Sequence, residues 1–447
     1  MVILAEQYRE VASMRAAVLH SRPRSARTQR IGSWLSAVFS VETCFTLFLF
    51  SGRFKGLPEL QGSPVDVTLL FLTTTWCLVA WNIISGRIKP LRPTLPFVMM
   101  ILFCEYAVVS LFWSSLDPIN LDKAARFILL TGSGFFVACL LASDEVRRKR
   151  LLGAVAWLSF ALVLYYLHYR YILGIDLMSP EYSWVDRQTE GGDNYLEYGE
   201  HAAILFNVLL TLGALASWKQ AVLAAIGSAL PLAVLLSAGG RGPLALSAAA
   251  IVLLGLILFV RGQGFSRALG RLAGFVACLL VIGMIAYVSA GQDKDAELSG
   301  LHTVERYQAQ LSGEDTYSMD LRADGRRFAF SQWLQKPVFG WGIGEFRVQD
   351  TLLRYPHNTL LEVLMELGLV GAYLYLGTIV PLVLQCWRMV RAPPTDWSDI
   401  AIVVLFITTL CWELTFAGYL ADDRIFFAYA GMITGAGSTF GVFTVRR

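Results

Sequence analysis

Residues 358–387 read NTLLEVLMELGLVGAYLYLGTIVPLVLQCW, a run whose only charged members are Glu362 and Glu366. This exceeds the roughly 20 apolar residues that a helix needs to cross a bilayer, so it predicts a transmembrane helix that is tilted or continues past the lipid. Similar runs recur at 33–51, 66–86, 94–113, 124–143, 151–174, 201–217, 221–237, 244–260, 272–290, 398–418 and 425–443. Composition agrees with a membrane protein: of 447 residues 55% are hydrophobic and 16% charged, with a mean hydropathy of +0.55. A soluble globular chain has about a quarter charged residues. The expected fold class is all-α: a polytopic membrane protein with about 12 transmembrane helices and one large extracytoplasmic loop. A large soluble domain is excluded.

The distribution of charge orients these spans. If the N-terminus is cytoplasmic, the basic segments Arg87/Lys89/Arg92, Arg147 to Arg150, Arg261/Arg267/Arg271 and Arg388/Arg391 all fall on the cytoplasmic side, as the positive-inside rule requires. Both termini are then cytoplasmic and the span count is even. The organisation read from this is a cytoplasmic Arg-rich tail at 1–32, spans one to nine over 33–290 with an acidic and aromatic outer loop at 175–200, a large periplasmic loop at 291–356, and spans ten to twelve over 357–447. The tail lacks the apolar core and cleavage site of a signal peptide and is expected to stay on. Cys44, Cys77, Cys104, Cys139, Cys278, Cys386 and Cys411 lie in apolar runs without CxxC spacing, which argues against disulfides and thiolate metal sites. The short cytoplasmic loops hold neither a Walker motif nor a nucleotide fingerprint, so ATP-driven transport is not expected.

Chemistry is expected on the outer face, because 291–356 far exceeds the usual connection length. At its end, Tyr355-Pro356-His357-Asn358 leads into the tenth span. Pro356 fits a helix start, which predicts that His357 sits at the water-exposed N-terminus of that helix. On an ideal continuous helix Gly368 returns to within about 20° of the His357 face and Gly371 to within about 40°, a strip where a neighbouring helix or a lipid tail is able to approach. Glu362 and Glu366 are acids at membrane depth, rare without a partner or a cavity. Glu362, one turn below Asn358, is placed to orient His357 or an arginine.

The spacing His357-Asn358, nine residues, Gly368-x-x-Gly371 resembles the signature of the bacterial O-antigen ligase and O-antigen (exopolysaccharide) polymerase superfamily of integral membrane glycosyltransferases. Upstream, Lys336-Pro337-Val338-Phe339-Gly340-Trp341-Gly342 looks like that family's Pro-Leu-Phe-Gly-x-Gly segment, and Arg322 lies where the family usually has an arginine. Ser237-Ala-Gly-Gly-Arg241-Gly242 resembles its Ser-x-x-Arg-Gly turn with one residue extra. The resemblance implies transfer of a glycan from undecaprenyl diphosphate to an acceptor hydroxyl at the periplasmic face of the inner membrane. The acceptor is lipid A-core in a ligase and a second lipid-linked glycan in a polymerase.

Such a reaction needs the diphosphate held, for which arginine is suited by permanent charge and bidentate geometry. Arg241, Arg322, Arg326 and Arg327 are the candidates, although adjacent Arg326 and Arg327 are unlikely partners in one site. Glycines around Arg241 leave room for a headgroup. A general base is needed for the hydroxyl, a role worth about 10² to 10⁴ in rate, and His357 is the candidate, with a pKa that an arginine-lined site moves down. Asn358, Glu362, Gly368 and Gly371 are the supporting residues. No Asp-x-Asp or clustered His/Asp set stands at ligand spacing, so the expected enzyme is metal-independent and inverting, with no cofactor and no nucleic-acid partner; membrane lipid surrounds it. The reading from another class is a secondary transporter or lipid flippase; no internal repeat of the kind such folds show relates the halves.

Overall fold

The computed structural model describes residues 40–55, 60, 64–89, 91, 93–173, 194–262, 265–290, 302–313, 317–350, 353–392, 396–416 and 418–439. Every regular element among them is helical: α1 Val41–Lys55, α2 Val67–Ile84, α3 Leu95–Trp113, α4 Pro118–Ala142, α5 Glu145–Ile172, α6 Asn194–Leu215, α7 Trp218–Ser237, α8 Arg241–Arg261, α9 Phe265–Ala290, α10 His302–Leu311, α11 Tyr317–Gln335, α12 Glu345–Gln349, α13 Thr359–Arg391, α14 Trp397–Thr415 and α15 Arg424–Thr439. Nine helices among the described residues are long and apolar enough to span a membrane, and the protein is an all-α polytopic membrane protein. The other three expected spans coincide with α1, α9 and α15. Residues 1–39, most of the 175–200 loop, 291–301 and 440–447 lie outside the described residues.

Local chemistry sets the helix starts. Side chains of Asp66, Asp117, Asp144, Asn358 and Asp396 accept hydrogen bonds from the first backbone amides of α2, α4, α5, α13 and α14, which satisfies donors that a helix cannot use internally. Pro118 follows Asp117 at the first position of α4, where its missing N–H costs nothing. That pair starts the helix six residues before the expected 124, and so brings Lys123 inside it.

The core is a continuous apolar cluster through the bundle, with Phe45, Phe48, Phe103, Phe127 and Tyr375 buried at its centre. The ends of α14 mark the two ends of the bundle. At its start, Arg148 pairs with Asp399 at 2.9 Å, Lys149 with Asp396 at 2.7 Å, and Arg147 with Glu42 at 2.9 Å. At its end, Asn358 and Thr359 of α13 dock on Leu414 and Glu413. Those ends are roughly 28 Å apart at 1.5 Å per residue.

Two expectations about α13 need correction. Its helix starts at Thr359 with Asn358 as cap, so Pro356 and His357 precede it, and His357 takes φ +54 and is half-buried. Nor is α13 continuous: Gly368, at φ 64 and ψ −163, breaks it into two helical pieces. Gly368 and Gly371 therefore do not form an open strip beneath His357.

Candidate active site

The break at Gly368 receives the Pro337–Gly342 segment. Trp341 N–H donates to the Met365 carbonyl at 3.0 Å and Gly342 N–H to that of Glu366 at 2.7 Å, while Leu369 N–H donates to the Pro337 carbonyl at 2.9 Å and Val370 N–H to that of Val338 at 3.2 Å. Backbone groups that the kink would orphan are thus satisfied by the segment. Gly371 is required by the chain itself, since a β-carbon there would run into Leu367 across the kink.

Beneath this junction lies a buried ionic cluster. Lys123 of α4 reaches Glu362 Oε1 at 2.5 Å and Glu366 Oε1 at 2.7 Å, with all three side chains at most 2% exposed. Glu362 Oε2 also accepts the Leu420 N–H at 3.1 Å, and Glu366 Oε1 the Phe346 N–H at 3.2 Å. The sequence reading placed Lys123 in a loop and missed it; the Asp117-Pro118 helix start was the signal. Glu362 meets this lysine and not His357 or an arginine.

Glu345 completes the packing of the outer turn. It accepts the Ser115 N–H at 2.6 Å and the Asn120 side-chain amide at 2.9 Å, and those hydrogen bonds hold its carboxyl below the usual range in spite of burial.

His357 lies at the outer edge of the same assembly. Its ring contacts Tyr355 at 4.4 Å between centroids, and Tyr355 stacks on Tyr419 at 5.3 Å. On the far side, the Lys123 ammonium stands 5.4 Å from the Tyr419 ring. The imidazole is hydrogen-bonded to the Phe416 backbone, and its Nδ1 is buried with no partner. Burial first, and then the charges of Arg322 and Arg326, lower its pKa to about 4 against the opposing Phe416 bond. The ring is therefore neutral at pH 7 and has a lone pair available. The downward direction matches the expectation, with desolvation as the larger cause.

Arg322 and Arg326 are four residues apart on α11 and share one helical face. Arg327 turns away: its side chain is 80% exposed and pairs with Asp324 at 3.1 Å. It does not join His357, because adjacent helical residues diverge by about 100°.

Arg241 begins α8 and faces another partner set. Its guanidinium donates to Gln310 Oε1 at 3.0 Å and to the Arg306 carbonyl at 3.3 Å, while the Tyr307 hydroxyl donates to the Arg241 carbonyl at 2.8 Å. The space at Gly242 is taken by the Trp412 ring. Gly239 is held by α10, its N–H donating to Thr303 Oγ1 at 2.8 Å and its carbonyl accepting from Arg306 at 3.0 Å. Asn358 serves twice, its Oδ1 accepting the Leu361 N–H at 2.9 Å and its Nδ2 donating to the Leu414 carbonyl at 2.6 Å. His201 of α6 is buried against the Phe50 ring at 4.4 Å.

A search of curated proteins gave no match. Residues 203–376, from α6 into α13, match the family model described as O-antigen ligase, and this stretch carries Arg241, Arg322, the Pro337–Gly342 segment, His357 and Gly368. That stretch is thus similar to the O-antigen ligase and polymerase superfamily, whose members are glycosyltransferase-like membrane enzymes.

Proposed function

We propose that the protein transfers a glycan from undecaprenyl diphosphate to an acceptor hydroxyl at the periplasmic face of the bacterial inner membrane, as an O-antigen ligase with lipid A-core as acceptor. The observation that carries this reading is the neutral His357, its Nδ1 unpartnered, beside the charges of Arg322 and Arg326. The acceptor oxygen attacks the anomeric carbon and gives its proton to Nδ1. The bond from that carbon to the diphosphate breaks on the opposite face, and the electron pair leaves with undecaprenyl diphosphate. Arg322 and Arg326 offset the developing charge; preorganised charge in a poorly hydrated site is usually the largest catalytic contribution. The hydrogen bond to Phe416 keeps the ring in the tautomer whose Nδ1 is bare. Inversion follows from direct displacement by the acceptor, and in this reading the two arginines, not a metal, offset the charge of the leaving diphosphate. In this reading Arg241 orders α10, and Asn358, Gly368 and Gly371 hold the turn that carries the base.

The test is transfer by purified protein in EDTA with an undecaprenyl diphosphate-linked glycan, offering lipid A-core and a second lipid-linked unit in parallel. Transfer to lipid A-core by wild type, and its loss in His357→Ala, is expected. Consumption of the second lipid-linked unit alone would make the protein a polymerase. No transfer, with movement of the lipid-linked glycan across proteoliposomes, would sink the enzyme reading in favour of a flippase.

A further inference from the structure

The Lys123 cluster holds one more acid than neutrality needs. A single carboxylate pairs a buried ammonium, and a second one beside it adds like-charge repulsion where unpaired acids are already costly. Each carboxylate has a separate second partner. Glu362 accepts the Leu420 N–H, and Leu420 adjoins Tyr419, which stacks on Tyr355 against His357. The Leu420 carbonyl is held in turn by the Thr131 hydroxyl of α4 at 2.9 Å. Glu366 accepts the Phe346 N–H, and Phe346 packs on Phe328 of α11 at 5.8 Å, with Ala329 and Met365 completing a small core. Trp341, next to that core, donates to the Gln332 carbonyl of α11 at 2.9 Å. One carboxylate therefore leads to the base and the other to the helix that bears Arg322 and Arg326. Lys123 holds both and belongs to neither.

We infer that Lys123, acting through Glu362 and Glu366, is a positioning residue that sets the turn 418–422, whose Tyr419 stacks on Tyr355 beside His357, against the arginine-bearing helix α11. Its kinetic consequences rest on the glycan-transfer reading above. Its structural consequences do not.

The test is hydrogen exchange by mass spectrometry on the full-length protein in micelles, combined with donor kinetics. Glu362→Met and Glu366→Met each leave Lys123 paired with the remaining acid, so both variants stay charge-balanced where Lys123→Met leaves two carboxylates facing each other. Glu362→Met is expected to speed exchange about tenfold in 418–423 and not in 340–349, and Glu366→Met the reverse, which corresponds to the loss of one buried hydrogen bond. Glu362→Met lowers kcat with donor KM unchanged, Glu366→Met raises donor KM, Lys123→Met does both, and Lys123→Arg restores part of each.

Exchange that rises in both segments for either single variant, or in neither, overturns the inference, as does an identical kinetic change in both. If the selective exchange pattern holds while wild type transfers no glycan, the functional reading fails and the positioning role stands. If wild type transfers and the pattern is absent, the positioning role fails alone.

Discussion

Gly340 and Gly368 meet backbone to backbone, each at positive φ: a β-carbon on either would stand 2.6 Å from the other's amide nitrogen. Two motifs that read as separate in the sequence are therefore halves of one joint. The joint lets the Pro337–Gly342 segment replace the helical hydrogen bonds lost where α13 breaks.

Substitution in this joint is expected to cost stability as well as activity. Gly368→Ala adds backbone strain of about 1–3 kcal/mol to a contact that cannot be relieved by a side chain moving aside. It should lower the thermal midpoint in detergent and reduce transfer at least about tenfold. Gly377→Ala serves as a contrast, since its β-carbon would meet only the flexible Met99 side chain at 3.1 Å; fluorescence-monitored melts of both variants check the difference.

As the proposed base, His357 should work far into acid. With His357 at about 4, kcat/KM for the free enzyme stays level as pH falls from 8 to about 5 and then declines. Arg322→Gln removes a positive charge that disfavours the imidazolium, so its acid limb moves to higher pH. The same depression links to stability with a definite sign. The unfolded histidine charges near pH 6.5, so the stabilisation is complete above that value and is lost as pH falls toward 4. Thermal midpoints of wild type and His357→Gln should converge over that window.

The three loop arginines should separate in donor binding. Arg322→Ala and Arg326→Ala each remove a charge near His357 that in the proposed transfer holds the anionic donor, with an expected rise of roughly tenfold to a hundredfold in donor KM, the range of a lost charge-assisted hydrogen bond. Arg327→Ala loses only an exposed pair with Asp324, worth about 0–1 kcal/mol, and its KM should match wild type. Initial rates over a donor titration decide between them.

At the opposite end of the bundle, stability and catalysis should come apart. Arg148 is 3% exposed and pairs with Asp399, so Arg148→Met leaves an uncompensated buried carboxylate, at a cost of about 3–5 kcal/mol. The thermal midpoint should fall while donor KM is unchanged in the protein that remains folded.

Hydropathy is a local property, so the membrane-spanning helices were legible in the chain itself, within a few residues at most ends. The exceptions include α4, α5 and α9, which begin six, six and seven residues before their apolar runs because a helix continues into polar sequence; Asp117-Pro118 and Asp144 cap the first two. That Arg322 would come near His357 was expected from the family resemblance, and its charge does act on the imidazole. The direction of the histidine pKa followed from charge alone, but the burial that dominates it did not.

Sequence by itself thus determined a helical membrane protein with a histidine and arginines gathered toward one face. Tertiary structure alone decided which arginines reach the histidine, where α13 breaks, and what the buried acids pair with. Lys123 and Glu362 are 239 positions apart, and no periodicity connects residues so distant. Their pairing arises only when α4 packs against α13, because a charge excluded from water must find its partner wherever the fold places one.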